Sequence, residues 1–226
     1  MCGRYVLKTK LQNITEAFAP LVSRLTELLP RYNIAPSQEV AAIRMDAQGQ
    51  RSLGNLRWGL IPSWQPAGAF PKIQPINVKS ETVGQSRMFA PAFARRRCLM
   101  VADGFYEWAQ VPGKPPYFIH RTDDRPFAFA ALWERWRPEG AEEPLDTVAL
   151  LTTTPNALMR PLHQRMPVIL NPSDFDAWLD RQTPLDRVSA LLRPAEDAGW
   201  EAYPVSKRVN RPAMDGPENI LPVEAT

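Results

Sequence analysis

The sequence predicts an α+β fold: a single domain built on a mainly antiparallel, curled or barrel-like sheet, with short helices on its flanks. Three observations predict it. Strand-like apolar runs outnumber helical stretches. Proline supplies 24 of the 226 residues, a density that favours turns and sheet edges over long helices. Hydrophobic residues make up 44% of the chain, with seven Trp, nine Phe and five Tyr, enough for a sizeable core. No repeat and no shift in composition marks a linker, so one domain is expected over 1–226, with an extended tail from about residue 210.

The elements follow in order. RYVL at 4–7 reads as a strand. Thr9 precedes a helical stretch in which Leu11, Ile14, Ala17 and Phe18 recur at helix spacing. Pro20 and Pro30 bracket a second short helix from Leu21 to Leu29. YNIAPSQ at 32–38 reads as a loop and VAAIRM at 40–45 as a strand. DAQGQ turns into a further strand containing Leu53, Leu56 and Trp58. Residues 62–76 hold four prolines and one glycine, which predicts a long surface loop. Ser80 or Thr82 is placed to cap a helix that runs to Arg95, Arg96 and Arg97. Strand-like runs follow at 98–108, 116–121, 126–136, 146–154 and 165–170, the first two joined by the turn VPGKPP. Ser173 is expected to cap FDAWL, and Pro184 to open LDRVSALL as its first helical residue. The tail from Trp200 is proline-rich, with one strand-like segment, EAYPVS.

Composition removes several function classes. Cys and His number two each, Cys2, Cys98, His120 and His163, at spacings that fit no structural zinc site. One bridge between distant cysteines is a poor scaffold, and two unpaired thiols suit a reducing compartment. The N-terminus lacks the apolar stretch of a signal peptide, and FAFAALW at 127–133 is too short to cross a bilayer. A soluble, cytoplasmic protein with no metal and no membrane partner is expected. Net charge is +3, but it is unevenly spread. Residues 1–113 carry 14 Lys+Arg against 7 Asp+Glu, net +7, and the remainder 13 against 17, net −4. Either the charges scatter by chance or the first half builds a basic face suited to a polyanion.

Four segments carry chemistry. Release of Met1 would give Cys2 a free α-amine beside its thiol, a 1,2-aminothiol. Such a group condenses with an aldehyde to a Schiff base and closes a thiazolidine ring through sulfur; otherwise the cysteine is incidental. In GFYEW at 104–108, strand alternation sets Glu107 on the face opposite Tyr106 and Trp108. It is either a surface carboxylate or a tuned acid/base. His163, in PLHQRMPVIL, is either a loop histidine or a proton-transfer group, with Arg165 two residues on. His120 reads as a strand-end surface residue. RWGLIPSW at 57–64 sets two tryptophans beside Arg57, which suits either core packing or stacking on unpaired bases. PINVKSET at 75–82 offers Asn77, Lys79 and Glu81, as polar site residues or as a helix entrance. Arg95 to Arg97 read as a helix C-terminal charge cluster.

MCGRY, YNIAPSQ, RWGLIPSW, N-x-x-x-E-T, GFYEW, H-x-R-M-P and V-N-x-P-x-x-D-G-P-E occur in that order from residue 2 to about residue 222. Together they resemble the SOS response-associated peptidase (SRAP) family. The resemblance implies a monomeric, DNA-associated protein with no cofactor that senses abasic sites in single-stranded DNA. Cys2, exposed by self-removal of Met1, would be the nucleophile that crosslinks the ring-opened abasic aldehyde. Asn77 would position the N-terminus and the opened sugar. Glu107 would be the acid/base for Met1 release and for the Schiff-base steps, crosslink reversal included, and His163 would move a proton at the sugar hydroxyl. Arg4, Trp58, Trp108 and Arg165 would contact phosphates and stack on flanking bases. The family pattern N-A-R-x-E-T reads NVKSET here, so Lys79 keeps the charge but loses a bidentate fork for phosphate. Two other functions fit the same residues: a thiol peptidase acting on other proteins through Cys2, Glu107 and His163, and a non-catalytic single-strand DNA binding module.

Overall fold

A computed structural model describes residues 2–68 and 70–224. Fourteen strands appear among them. They are β1 (Tyr5–Leu7), β2 (Val22–Ser23), β3 (Arg31–Ile34), β4 (Glu39–Met45), β5 (Arg51–Trp58), β6 (Asn77–Lys79) and β7 (Arg97–Ala102). The second half adds β8 (Gly104–Trp108), β9 (Pro116–Arg121), β10 (Phe127–Trp136), β11 (Leu145–Thr153), β12 (Met166–Pro167), β13 (Ile169–Leu170) and β14 (Trp200–Pro204). Four short helices flank them: α1 (Leu11–Ala17), α2 (Ala90–Arg95), α3 (Phe175–Leu179) and α4 (Leu185–Ala190).

The longest strands close on themselves. β5, β4, β7, β10 and β11 pair antiparallel in that order. β11 then returns to β5 in parallel register, Thr147 opposite Arg57 and Val148 opposite Trp58. Closure leaves the barrel with no open edge. Both faces of its strands are shielded from solvent: Ile43, Leu53, Leu99 and Leu132 share one face by register, and Phe129 and Val148 the other. A second sheet, in the order β14-β9-β8-β1-β3, covers one side. Alternation divides that sheet cleanly. Tyr5, Leu7 and Phe105 join the barrel core, whereas Val6, Tyr106 and Phe118 pack with Val205 and Val209 on the outer face. Gly104 is required where β8 meets β9: a Cβ there would lie 2.3 Å from the Phe118 ring.

The α+β class and the barrel-like sheet are as the sequence predicts. Several local readings change. Residues 21–29 form no helix; the chain there is irregular apart from β2, which pairs with β5. YNIAPSQ begins inside β3 rather than in a loop. The run 98–108 is two strands in different sheets, broken at Asp103. Asp103 accepts the Lys8 and Thr9 backbone N–H groups at 2.5 and 2.7 Å and the Thr9 hydroxyl at 2.6 Å, which anchors the entrance to α1. The helix expected from Ser80 to the arginines is a 3-10 turn at Ser80–Gln85 followed by α2. Ser173 lies in a 3-10 turn and Asp174 precedes α3, while Pro184 precedes α4 rather than opening it. Arg97 is an internal clasp: it donates to the carbonyls of Phe93, Ala94, Trp178 and Asp180.

The C-terminal segment is folded back rather than extended. Two 3-10 turns, Lys207–Asn210 and Pro217–Ile220, lie against β3 and β8. Asn33, fully buried, donates through Nδ2 to the carbonyls of Val209, Arg211 and Met214. Its Oδ1 accepts from Arg4 at 2.9 Å.

Candidate active site at the N-terminal end of β1

Cys2 begins the described chain, three residues ahead of β1, and is fully buried. Antiparallel register sets Tyr5 opposite Phe105, and the ladder continues with the Tyr106 N–H donating to the Arg4 carbonyl at 3.0 Å. One step further toward the N-terminus, Gly3 comes level with Glu107, and Cys2 lies beside it. Glu107 shares the inward face of β8 with Phe105 and is 2% exposed. Burial pushes the Cys2 thiol well above the usual thiol range, and the nearby Glu107 charge pushes it further the same way. The thiol donates weakly to the Arg4 carbonyl at 3.8 Å.

Asn77 reaches the same point from the barrel. Its Nδ2 donates to the Cys2 carbonyl at 3.0 Å. β6 is held there by parallel pairing with β11, Asn77 opposite Leu150. Trp58 adds a peg, its indole N–H donating to the Ile76 carbonyl at 3.0 Å, one residue before Asn77. His163 arrives on the loop between β11 and β12. The Gln110 N–H, two residues beyond β8, donates to the Leu162 carbonyl at 3.2 Å, which brings that loop to the Glu107 end of the strand. The His163 Nδ1 accepts from the Arg165 backbone N–H at 2.9 Å.

The residues expected to grip DNA separate. Lys79 is exposed and Trp108 half-buried, its indole N–H bonded to Asn210 Oδ1 at 2.8 Å. Arg4 is partly spent on the fold: it donates to Asn33 Oδ1 at 2.9 Å and to the Val209 carbonyl at 2.6 Å. Arg165 makes a bidentate pair with Glu81 and donates to the Thr152 carbonyl. Trp58 is corrected outright. It has no solvent exposure and packs edge-on against Tyr5, so no base can stack on it. The exposed aromatic of that motif is Trp64, at 59%; Phe70 and Ile73, further along the long loop, are exposed too. His120 is also corrected: it is buried, stacks on Phe118 and lies 3.0 Å from Glu201 Oε1.

Among the described residues, no cluster of three or more metal-ligating side chains forms, and no helix is long and apolar enough to cross a membrane. A cavity of about 760 Å³ is lined by Thr9, Asn13, Phe127 and Trp200. It opens at the opposite end of β1 from Cys2. The perturbed thiol and the carboxylate beside it lie in the buried N-terminal cluster and not in that cavity.

Residues 1–212 match the family model described as SOS response associated peptidase (SRAP). The chain belongs to that family. Within it, the chain is 39% identical to the abasic site processing protein YoqW of Bacillus subtilis, with 97% of this chain and 99% of that one covered. Identity to the abasic site processing protein HMCES of Gallus gallus is 32%, over 86% of this chain and 67% of that one. A solved phage-related protein of Bordetella bronchiseptica superposes with a TM-score of 0.72 at 31% identity, covering 91% of this chain and 95% of that one. A protein from Bacteroides thetaiotaomicron superposes with a TM-score of 0.86 at 20% identity over 99% of this chain and all of that one, which speaks to the SRAP fold alone.

Asn33 and Glu81 stand inside SRAP motifs, yet sequence reasoning assigned neither a definite role. Their partners lie far along the chain, at 209–214 and at 165, and no local spacing announces them.

Proposed function

We propose that this SRAP protein processes abasic sites in single-stranded DNA by covalent capture at Cys2. The observation that carries the reading is the Asn77–Cys2 hydrogen bond beside buried Glu107. It fixes the chain end that must meet the aldehyde against a side chain able to move protons. The names of the relatives, all abasic site processing proteins, support the same substrate.

The chemistry begins with release of Met1, which lies outside the described residues. Hydrolysis of the Met1–Cys2 bond consumes one water, with Glu107 as acid/base, and frees the Cys2 α-amine. The amine adds to C1′ of the ring-opened sugar, and loss of one water gives a Schiff base. The Cys2 sulfur then bonds to C1′, the C=N electron pair moves to nitrogen, and the thiol proton follows it. The net change from aldehyde to thiazolidine is loss of one water. Glu107 supplies and removes the protons, and running the same steps backward releases the crosslink. Competing proton loss at C2′ of the Schiff base, with departure of the 3′ phosphate, is the lyase branch. His163 moves the proton of the sugar hydroxyl as the ring opens. A thiol that stays protonated suits this order, because amine attack comes first.

Lys79, Trp108 and exposed Trp64 are the candidates to hold flanking phosphates and bases. Arg4 and Arg165 do so only where their contacts to the fold permit it.

The test is incubation with single-stranded DNA carrying one abasic site, followed by a denaturing gel. The wild-type protein gives a shifted band, and Cys2→Ala abolishes it. Cleavage of unrelated polypeptides without a shifted band would instead favour a peptidase, and salt-sensitive binding with no covalent band a simple binding module.

A further inference from the structure

We infer that Glu81 is a positioning residue of this site: it holds Arg165 and, through the Arg165 backbone amide, sets the tautomer and orientation of His163. The inference deepens the reading above and rests on it for the substrate.

The contacts form one continuous chain. Arg165 donates from Nη1 to Glu81 Oε1 at 2.6 Å and from Nη2 to Oε2 at 2.9 Å. The same Nη2 donates to the Thr152 carbonyl at 2.6 Å and reaches the Thr152 hydroxyl at 3.3 Å. The backbone N–H of Arg165 donates to His163 Nδ1 at 2.9 Å. A planar guanidinium held by a carboxylate on one side and a strand carbonyl on the other has few other positions, so the Arg165 main chain is set by its own side chain. A backbone N–H can donate only to an unprotonated ring nitrogen. Neutral His163 therefore carries its proton on Nε2.

Placement adds a second reason. Glu81 lies in the turn after β6, four residues beyond Asn77, and Thr152 pairs with Lys79 across β6 and β11. The pair thus ties the strand that positions Cys2 to the loop that carries His163. The Arg165 contact also holds the Glu81 carboxyl below the usual carboxylate range, so the pair stays charged at neutral pH. Because the Glu81 side chain is 45% exposed, the pair adds little to stability. Its value lies in geometry.

The test uses Glu81→Gln, which keeps the shape and removes the charge. Its first readout is the ¹⁵N spectrum of the histidine side chains, where only two residues contribute and the His163→Gln variant identifies the second signal. The wild-type protein shows His163 with its proton on Nε2, and Glu81→Gln moves the signal toward a mixture of tautomers. The second readout is crosslinking rate. At saturating abasic DNA, Glu81→Gln is slower by roughly 10- to 100-fold, while the DNA concentration for half-maximal rate is unchanged or lower, since Arg165 is released toward phosphate. Glu81→Asp recovers most of the rate. Melting curves confirm that each variant is folded. An unmoved His163 signal in Glu81→Gln overturns the inference, and so does a rate loss that disappears at saturating DNA. Absence of any crosslink in the wild type with a shifted His163 signal overturns the proposed function and leaves the Glu81–His163 coupling standing.

Discussion

At the scale of single residues, the Cys2 thiol sets the sharpest expectation. Burial is the larger cause of its raised pKa and the Glu107 charge the second. The folded protein therefore keeps the thiol protonated where an ordinary cysteine, near pKa 8.5, begins to ionise. Maleimide labelling of Cys2 in the folded protein should be slow at pH 7 and should rise with pH without levelling near 8.5. Glu107→Gln removes one of the two upward pushes, so its labelling should be faster at each pH yet still below that of the unfolded chain. A plateau near the ordinary value, or slower labelling in the variant, contradicts the coupling between the two residues. Peptide mapping by mass separates Cys2 from Cys98, which burial pushes in the same direction. Cys2, Asn77, Glu107 and His163 stood out in the sequence only through the family resemblance, since each alone reads equally as an incidental, surface or loop residue; the structure sets Asn77 and Glu107 near Cys2. The role of Trp58 was not legible. A tryptophan beside an arginine reads alike as core or as stacking platform, and only the fold, which buries Trp58 against Tyr5 and bonds it to the Ile76 carbonyl, tells them apart.

Elements were legible where one face is apolar and local. β4, β5, β9, β10 and β11 follow their runs closely. The stretch 21–29 misled because leucines between two prolines mimic a short helix, whereas its structure depends on pairing with β5, which no local pattern records. The C-terminal strap failed for the same reason. Its three carbonyls are gathered by Asn33 from nearly 180 positions away. That contact makes a prediction about the element as a whole. Asn33→Ala leaves those carbonyls and one Arg4 donor without their buried partner, which should cost about 3 kcal/mol in urea unfolding. A loss under about 1 kcal/mol contradicts the strap as a structural part of the fold.

Across the whole molecule, the parallel β5–β11 pairing converts a curled sheet into a closed barrel, and it brings β6 with Asn77 alongside. The second sheet lays β1 and β8 over that barrel, so Cys2, Asn77 and Glu107 meet where the two layers join. The excess positive charge of the first half, net +7 over residues 1–113, belongs to the half that contains three of the four proposed site residues. Sequence patterns conveyed the composition of this site but not the closure that assembles it, since a parallel pairing between β5 and β11 spans about ninety residues. Whether the assembled site does covalent chemistry is decided by the intact mass of the protein after incubation with a short abasic single-stranded oligonucleotide. The expected species is the chain without Met1 plus the oligonucleotide minus one water, formed by the wild type and absent for Cys2→Ala. A wild-type protein that has lost Met1 and still shows only its unmodified mass, under conditions where it binds the oligonucleotide, would contradict capture at Cys2.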